Sequence, residues 1–419
     1  MKLSICFASL LYLAGSCSGL LAFPGAEGFG AQATGGRGGS VYVVTNLNDS
    51  GSGSFRDAVS ESNRIVVFAV GGVINISSRI VVSSHVTIAG QTAPGQGITV
   101  YGNGVSYSGA DNTITRYIRY RMGRSGDSGK DTITIADGAN MIFDHVSVSW
   151  GRDESFSING DVSNVTISDS IIAQGLETHS CGGLIQTDGG VSIIRTLYID
   201  NKTRNPKVKG VNEFVNNVVY NWGGGGGYIA GDSAGPSHAN IMNNVFISGP
   251  STSVTAFTRG NENFHAYVSN NYYDPDRNGV LSGFILSPTT DNYSPIDFQS
   301  TRYPYPTVKS LLNPLDALHK VASSAGASKS RDSVDNYLIN NELLTYGKVG
   351  ALISDEKASP INGPGNVEGG TPPRDSDNDG IPDDYETAHG TDPHSNDSAR
   401  IASNGYATID IENYINSLV

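Results

Sequence analysis

The centre of this 419-residue chain repeats one short pattern three times, as Val215-Asn216-Asn217-Val218, Met242-Asn243-Asn244-Val245 and Ser269-Asn270-Asn271-Tyr272. In each copy an Asn-Asn pair lies in the middle of a β-rich run. Related runs precede these copies, namely Phe143-Asp144-His145-Val146, Ile167-Ser168-Asp169-Ser170 and Ile194-Arg195-Thr196-Leu197. When Asp144, Ser168, Arg195, Asn216, Asn243 and Asn270 are taken as equivalent, the successive steps are 24, 27, 21, 27 and 27 residues.

A period of about 20–30 residues with many strands and almost no helical pattern is typical of a solenoid, in which stacked turns share one core. The sequence therefore predicts an all-β fold, a right-handed parallel β-helix with short helical caps. Stacked at one bend, the Asn side chains would hydrogen-bond from coil to coil as a ladder. A β-sandwich built from hairpins is the alternative, but the Asn-Gly and Asp-Gly turns that hairpins favour are sparse.

Both ends of a parallel β-helix need a cover, because an exposed sheet edge invites pairing with other chains. Residues 54–59 predict a short helical cap near the N-terminal end. Residues 303–348 contain helical runs, such as Val308-Lys309-Ser310-Leu311-Leu312, and are expected to cover the other end.

Composition divides the chain into four parts. Residues 1–19 are predicted to be a signal peptide, because Lys2 precedes an apolar run that is too short to span a membrane. Residues 20–353 form the predicted β-helix, which holds the candidate catalytic residues. Residues 354–373 are rich in Pro, Gly, Asn and Ser and predict a linker, followed by a small separate module over residues 374–419. We therefore expect a secreted, extracellular protein without a membrane anchor.

Outside the predicted signal peptide, Cys181 is the only cysteine, so the mature chain is expected to have no internal disulfide. Packing, hydrogen bonds or metal ions must then stabilise the fold. Six Asn-x-Ser/Thr sequons are compatible with a secreted glycoprotein. They are Asn48, Asn75, Asn164, Asn201, Asn292 and Asn396.

The composition also excludes several classes of protein. Only 16% of the residues are charged and the formal net charge is -13, which argues against a coiled coil and against a nucleic-acid binder. The 52 glycines have no three-residue period, which excludes collagen. Much of the negative charge lies in residues 375–397, which hold eight acidic residues and neither Lys nor Arg.

The acidic segment contains a calcium-loop pattern. Residues 375–386 match the twelve-residue spacing D-x-D-x-D-G-x-x-D-x-x-E, with Gly380 at the sharp turn. The predicted calcium ligands are Asp375, Asp377, Asp379, Asp383 and Glu386. The alternative is a solvated acidic linker, which would not need this spacing. Because the loop follows a linker, we expect a structural or docking role for it and not a catalytic one.

Three other stretches carry candidate chemistry. They are Asp127-Ser128-Gly129-Lys130-Asp131, residues 144–154 and Arg204-Asn205-Pro206-Lys207-Val208-Lys209-Gly210. If one coil has 21–27 residues, these stretches lie on successive or nearby coils. Carboxylates from the first two and cations from the third would then meet on one flank of the solenoid.

Several segments together resemble the pectate lyase superfamily, polysaccharide lyase family 1. Residues 22–30, 53–58 and 87–95 are similar to the N-terminal coils of that family. Asp144-His145 is similar to its Ile-Asp-His stretch, and residues 204–209 resemble its R-x-P-x-x-R signature. The resemblance covers residues 22–350. The C-terminal module resembles the type-3-repeat or dockerin-like calcium modules of secreted carbohydrate enzymes.

The resemblance implies cleavage of pectate (polygalacturonate) by β-elimination with Ca2+ as cofactor. Arg204 matches the family's catalytic arginine, which removes the C5 proton, and an alkaline optimum would follow from so basic a group. Lys209 matches a substrate-binding arginine, and Lys207 is a second cation for substrate carboxylates. Asp131 and Asp153 match calcium ligands of the family.

Some positions depart from the family pattern. Glu154 is the spare carboxylate for the catalytic calcium, while Ser157 stands where the family often has a further Asp. Ser180-Cys181 stands where the family has a substrate-binding Lys, and His179 is either a replacement for that Lys or a structural residue. We interpret Cys181 as a packed residue and not as a nucleophile.

Other functions stay open at this point. A pectin or rhamnogalacturonan lyase would share the fold, and a glycoside hydrolase would use a carboxylate pair such as Asp153 and Glu154. A non-catalytic, carbohydrate-binding β-helix would bind without cleavage. The five glycines at 223–227 are not followed by Lys-Ser/Thr, so a nucleotide site is not predicted. We expect a monomer that acts on a polysaccharide.

Overall fold

A computed structural model describes residues 20–306, 308, 309, 311–400 and 410–419. The predicted signal peptide, residues 1–19, lies outside the described residues. The strands are β1 (Ser40–Val44), β2 (Arg64–Phe68), β3 (Gly72–Asn75), β4 (Ile80–Val81), β5 (Val86–Ala89), β6 (Ile98–Tyr101), β7 (Val105–Ser106), β8 (Ala110–Arg116), β9 (Ile118–Arg121), β10 (Ile133–Asp144), β11 (Ser147–Ser149), β12 (Glu154–Ser168) and β13 (Ile171–Ala173).

The second half of the solenoid continues with β14 (Cys181–Ile194), β15 (Leu197–Ile199), β16 (Lys207–Val215), β17 (Val218–Tyr220), β18 (Tyr228–Ala230), β19 (Ser237–Met242), β20 (Val245–Ile247), β21 (Phe257–Thr258), β22 (Phe264–Ser269), β23 (Tyr272–Asp274), β24 (Phe284–Ile285) and β25 (Asp297–Phe298). The α-helices are α1 (Phe55–Ala58), α2 (Thr290–Tyr293), α3 (Pro314–Ser324), α4 (Ser333–Asn336), α5 (Asp383–His389) and α6 (Asp410–Ser417). Among these described helices, none has the length and apolar character that crossing a membrane requires.

Two long parallel sheets form the walls of the solenoid. The first follows the order β1-β2-β5-β8-β10-β12-β14-β16-β19-β22-β25, and the second follows β3-β6-β9-β11-β13-β15-β17-β20-β23, with β24 added antiparallel at its end. Most coils give one strand to each sheet. The short strands β4, β7, β18 and β21 add to the first sheet, where β7 pairs with the start of β10 and β18 with the start of β16. Buried Ile, Val and Phe side chains fill the space between the sheets as one continuous core. The predicted right-handed parallel β-helix is confirmed.

A ladder of buried side chains fixes the spacing of the later coils. The Oδ1 atom of Asn271 accepts a hydrogen bond from the backbone N–H of Asn244 (3.1 Å), and Asn244 Oδ1 accepts one from the N–H of Asn217 (2.8 Å). Asn217 Oδ1 accepts from the N–H of Thr196 (2.8 Å), whose hydroxyl accepts from the N–H of Ser170 (3.4 Å). The Asn amides also bond to each other between coils. The ladder predicted from the Asn pairs is present.

One residue per coil, just before the ladder, has a left-handed backbone. This position is held by His145, Asp169, Arg195, Asn216, Asn243 and Asn270, whose φ angles lie between 45° and 58°. The repeat pattern in the sequence placed Asp144 and Ser168 at this bend, but the bend residues are His145 and Asp169, one position later. Ser168 pairs with Ile194 in the first sheet, and Ile194 pairs with Val215. The error arose because the last strand residue of these earlier coils is also polar.

The N-terminal cap forms where it was expected. Helix α1 begins after Ser54, whose Oγ accepts a hydrogen bond from the backbone N–H of Asp57 at 3.2 Å. Phe55 is fully buried and stacks on Phe68 of β2, with 6.0 Å between the ring centroids.

The predicted cover for the other end was wrong. Helix α3 begins at Pro314, two residues after the predicted helical run, and contacts β17 and β20 on the side of the solenoid. Its buried Leu318 and Val321 belong to a second apolar cluster outside the second sheet, because that sheet presents an apolar outer face there. We call residues 314–346 the side strap. At the end of the solenoid lies α2, whose buried Tyr293 packs on Phe257 at 4.5 Å between ring centroids.

The segment predicted as a linker, residues 354–373, lies against the solenoid. Glu356 is fully buried and accepts hydrogen bonds from the Tyr101 hydroxyl (2.7 Å) and from the backbone N–H of Arg124 (3.0 Å). The backbone N–H of Glu368 donates to Gln96 Oε1 at 2.8 Å. The segment is thus bonded along its length, although its composition alone indicates a free linker.

One predicted glycosylation site conflicts with the fold. Asn201 is buried, its Oδ1 accepts from the backbone N–H of Gly175 (2.9 Å), and its Nδ2 donates to Ile172 O (3.1 Å) and Asn205 Oδ1 (3.0 Å). A glycan on this amide would break those bonds, so the sequon at Asn201 is a structural Asn. Of the other five sequon asparagines, Asn292 is partly exposed and the rest are exposed.

The ladder makes a prediction about stability. Asn244→Ala leaves the backbone N–H of Asn217 without a partner in a buried region and removes the side-chain hydrogen bond to the carbonyl of Phe214. We expect a loss of about 3 kcal/mol or more in the free energy of unfolding, measured by denaturant titration. Asn270→Gly is the matched control at an exposed, left-handed position, where Gly costs little. Equal losses in the two variants would contradict the role of the ladder.

A buried carboxyl pair ties the side strap to the solenoid and predicts a dependence of stability on pH. Glu342 of the strap hydrogen-bonds Asp200, both are buried, and burial together with the Asp200 charge raises the pKa of Glu342 far above its usual range. As pH rises above about 4.5, the unfolded chain releases a proton that the folded chain retains, so stability falls with rising pH. Glu342→Gln should reduce this slope by up to about 1.4 kcal/mol per pH unit, measured as unfolding free energy at several pH values.

The control for that measurement is Glu262→Gln, which changes an exposed glutamate. Its pH slope should equal that of the unaltered protein. An unchanged slope in Glu342→Gln would show that the pair does not hold a proton.

Candidate active site

The candidate catalytic residues lie where four consecutive strands of the first sheet begin. Asp131 is two residues before β10, and Glu154 is the first residue of β12. Cys181 is the first residue of β14 and pairs in register with Glu154. Cys181 also bridges to Thr203, which stands next to Arg204 before β16. The strand register thus brings side chains that are up to 73 positions apart in the sequence onto one line across the sheet.

Three carboxylates form the first part of this site. Oxygen atoms of Asp131, Asp153 and Glu154 lie within 4.8 Å of one another. The backbone N–H of Glu154 donates to Asp131 Oδ1 and the hydroxyl of Thr134 donates to Oδ2, each at 3.1 Å. Burial, with the negative charge of Asp153, raises the pKa of Asp131 to about 6. A cluster of hard oxygen atoms under mutual repulsion fits a calcium ion.

Ser157, at the position where the resemblance expects a further Asp, lies against the same cluster. It is buried, pairs in register with Thr134, and hydrogen-bonds Asp131. The hydroxyl supports one carboxylate and adds no negative charge.

Arg204 provides the cation of the site. Its guanidinium forms an ion pair with Glu154, two coils away, and its side chain is 26% exposed. The residue has a left-handed backbone with φ of 58°, which turns the chain just before β16. The arginine also lines a surface groove. The other residues of this groove are Thr178, His179, Ser180, Lys202, Thr203, Gly225 and Arg259.

Lys207 and Lys209 face outward on β16, since the intervening Val208 is buried in the core. The Nζ atom of Lys207 is 3.5 Å from Asp232 Oδ2, and the same oxygen accepts a hydrogen bond from Arg259 at 3.1 Å. Asp232 and Arg259 were not identified from the sequence, because each belongs to a loop without a motif. They extend the charged row beyond the predicted cations.

His179 and Cys181 have different environments. The Nδ1 atom of His179 is 2.8 Å from Asp153 Oδ1, and more than half of its side chain is exposed. Cys181 is fully buried, and burial raises the pKa of its thiol to about 12. A thiol in this environment stays protonated, which agrees with its interpretation as a packed residue.

The C-terminal loop holds most of its predicted ligands together. Asp375, Asp377 and Asp379 form one carboxylate group, and Glu386 forms a second with Asp379 and Asp397. The predicted ligand Asp383 lies outside both groups. Its carboxylate accepts hydrogen bonds from the backbone N–H (2.7 Å) and hydroxyl (2.8 Å) of Ser376 instead. Asp397 was missed because it falls eleven residues after the end of the twelve-residue pattern.

Comparison with known proteins identifies the family. The chain is 66% identical, over all of its length and 99% of the relative's, to the probable pectate lyase C of Aspergillus fumigatus strain CBS 144.89. The chain belongs to the pectate lyase family. The probable pectate lyase C of Aspergillus terreus is 65% identical with the same coverage. No protein-family model matches the chain.

Solved pectate lyase structures share the fold. The thermostable pectate lyase PL 47 superimposes with a TM-score of 0.54 at 16% identity, covering 74% of this chain and 98% of that one. A Bacillus subtilis pectate lyase mutant gives 0.53 at 15% identity, with 73% and 98% coverage. This pectate lyase is an enzyme of the lyase class, as the motifs predicted, and the alternatives of a hydrolase and of a non-catalytic β-helix are set aside.

Proposed function

We propose that this pectate lyase cleaves polygalacturonate by calcium-assisted β-elimination, with Arg204 as the base. The observation that carries the proposal is the line of Asp131, Asp153, Glu154 and Arg204 across adjacent strand starts beside an open groove. Such a line presents carboxylates for a cation and a nitrogen base on one face, where an extended polyanion can lie.

The catalytic calcium would be held by Asp131, Asp153 and Glu154. Bound there, calcium would withdraw charge from a uronate carboxylate, acidify the C5 proton and stabilise the enolate-like intermediate. The chain's part is to hold three oxygen ligands within 4.8 Å, with Thr134 fixing one of them by its hydrogen bond at 3.1 Å.

Arg204 would accept the C5 proton of the substrate. The electron pair of the C5–H bond becomes the C4–C5 double bond, the bond from C4 to the glycosidic oxygen breaks, and that oxygen takes a proton from solvent. The product is a 4,5-unsaturated oligogalacturonide. Glu154 holds the guanidinium at the groove by its ion pair.

Substrate carboxylates would bind to Lys207, Lys209 and His179. The two lysines project from one strand two residues apart, and His179 flanks Arg204 in the groove. Glu154 is ion-paired with Arg204, which suits a fixed anion and not the protonated general acid that a hydrolase needs. We further propose that the protein is secreted, extracellular and monomeric.

The twelve-residue loop at the C-terminus would bind a second calcium through Asp375, Asp377, Asp379 and Glu386. Two oxygen atoms of the described loop, Asp377 Oδ2 and Glu386 Oε2, are buried without a hydrogen-bond partner. Burial and the surrounding Asp charges raise the pKa of Glu386 to about 7. A divalent cation would give the unpaired oxygens a partner and would offset the repulsion between the carboxylates.

The activity is tested with purified protein and polygalacturonate. Ultraviolet absorbance of unsaturated product should rise in calcium, stop with excess chelator and return when calcium is restored. Highly methylated pectin and rhamnogalacturonan, tested in parallel, should give less product because they offer fewer or differently placed carboxylates. Cleavage of one of these in place of polygalacturonate would transfer the proposal to that substrate, and no unsaturated product from any of them would overturn it.

The base is tested by Arg204→Ala and Arg204→Lys. Arg204→Ala should lower kcat by about 100-fold or more with an intact thermal unfolding transition, because the alanine side chain has no nitrogen to accept the C5 proton. Arg204→Lys should also lose most activity, since a compact ammonium cannot copy the guanidinium geometry. Arg259→Ala, an arginine of the same groove, is the matched control and should raise KM more than it lowers kcat. Near-normal kcat in Arg204→Ala would refute the assignment.

A further inference from the structure

The C-terminal module packs on the first coils of the solenoid. Ile411, Tyr414 and Ile415 of α6 are buried in one apolar cluster with Ile65 and Val67 of β2. These two β-strand side chains point away from the core of the solenoid, so without α6 they would form an apolar patch in water. The apolar face of the module is therefore already used within the chain.

Hydrogen bonds and an ion pair also hold α6 against the first coils. The Nε atom of Arg37 donates to both carboxylate oxygens of Glu412 at 3.0 Å, with both side chains largely buried. Arg116 Nη1 donates to Asn416 Oδ1 at 3.3 Å. Both partners of α6 come from the N-terminal third of the chain, so the contact is specific and not a loose apolar association.

The calcium loop itself touches this interface. Gly380 has φ of +90°, and a Cβ atom at that position would lie 2.8 Å from Val41 and 3.1 Å from Val67. Next to it, Ile381 is buried in the same apolar cluster as α6. The sixth position of the loop therefore needs glycine for two reasons, the turn and the close approach to the solenoid.

Asp397 connects the loop to α6. An oxygen of Asp397 lies within 4.8 Å of ligand oxygens of Asp379 and Glu386. The backbone N–H groups of Asp397 and Ser398 donate to Asp379 Oδ2 at 3.1 and 2.9 Å. The carbonyl of Ser398 then accepts from the N–H of Ile411 at 3.2 Å, which is the first buried residue of α6.

The carboxylate group of Asp379, Glu386 and Asp397 has the features of a cation site. The side chain of Glu386 is fully buried, yet its Oε2 atom has no partner and its Oε1 atom has only a weak contact of 3.5 Å with the Thr391 hydroxyl. Asp397 Oδ1 is likewise buried and unpartnered. Two of the three carboxylates, Glu386 and Asp397, thus have an unpaired buried oxygen, and Arg400 contacts only the other oxygen of Asp397, at 3.8 Å. Unpaired carboxylate oxygens that face one another fit a hard divalent cation.

We propose that Asp397, Asp379 and Glu386 bind calcium together and that this binding clasps α6 onto the first coils of the β-helix. Asp397 is a ligand outside the twelve-residue loop, and it transmits occupancy of the loop to the helix that covers β2. The inference rests on the calcium proposal for the loop. The occupant of the apolar face of the module is the solenoid of the same chain, which leaves that face no role in docking a partner.

The test measures amide hydrogen exchange in the full-length protein with calcium and with chelator. In calcium, the amides of residues 410–419 and of β2 should be protected, and chelator should speed their exchange about tenfold or more. Asp397→Asn and Glu386→Gln should need about tenfold more calcium for the same protection. Asp384→Asn changes an exposed acid on the same helix as Glu386 and should behave like the unaltered protein.

Calcium titration calorimetry separates the possible failures. If neither Glu386→Gln nor Asp397→Asn changes calcium binding, the loop assignment is wrong. If both weaken binding but residues 410–419 stay protected in chelator, the loop binds calcium and the clasp is wrong. If Glu386→Gln weakens calcium binding and Asp397→Asn does not, Asp397 is not a ligand. Cleavage of polygalacturonate at saturating calcium should remain near normal in Asp397→Asn, since the catalytic carboxylates are elsewhere.

Discussion

The alignment of successive coils by buried side-chain to backbone hydrogen bonds is the constraint on which the rest of the molecule depends. From Ser170 to Asn271 each coil presents an oxygen to the N–H of the coil before it, although the number of residues per coil varies from 21 to 27. Variation in coil length is therefore absorbed in the loops and not in the sheets. The strand starts stay aligned, and a functional surface can be built across them.

The site is a direct product of that alignment. Carboxylates and cations that no local motif unites, such as Asp131 and Arg204, reach one face because their strands are in register. There Glu154 forms an ion pair with Arg204, and Asp153 Oδ1 lies 2.8 Å from His179 Nδ1. Under the proposed function, these side chains would exchange partners when calcium and the polysaccharide bind.

The fold could be predicted from the sequence where the same residue types recur at a regular spacing. The Asn pairs gave the coil architecture, and the calcium-loop spacing drew attention to the acidic tail. Errors occurred where a residue's role depends on a distant contact. Asn201 matches a glycosylation sequon but serves as a buried hydrogen-bond partner, and Asp383 fits the loop pattern but bonds Ser376.

For the same reason, the helical segment after residue 313 could not be placed from its own pattern. An amphipathic pattern predicts that a helix packs on some apolar surface, but it does not identify that surface. The apolar outer face of the second sheet is formed by residues from several coils, so only the folded structure shows it. Asp397, Asp232 and Arg259 were missed because a single charged residue in a loop carries no periodic signal.

The contact between α6 and β2 also has a consequence for the order of folding. Arg37 and Glu412, which meet there, are 375 positions apart. During synthesis the first coils emerge long before the helix that covers them, so their outer apolar face stays uncovered until residues 410–419 are made. Because contacts of such separation carry a large loop-closure cost, we expect them to form late, after the coils between them have stacked. A chain truncated before α6 would thus leave the outer face of β2 uncovered, so the first coils are complete only when α6 is present.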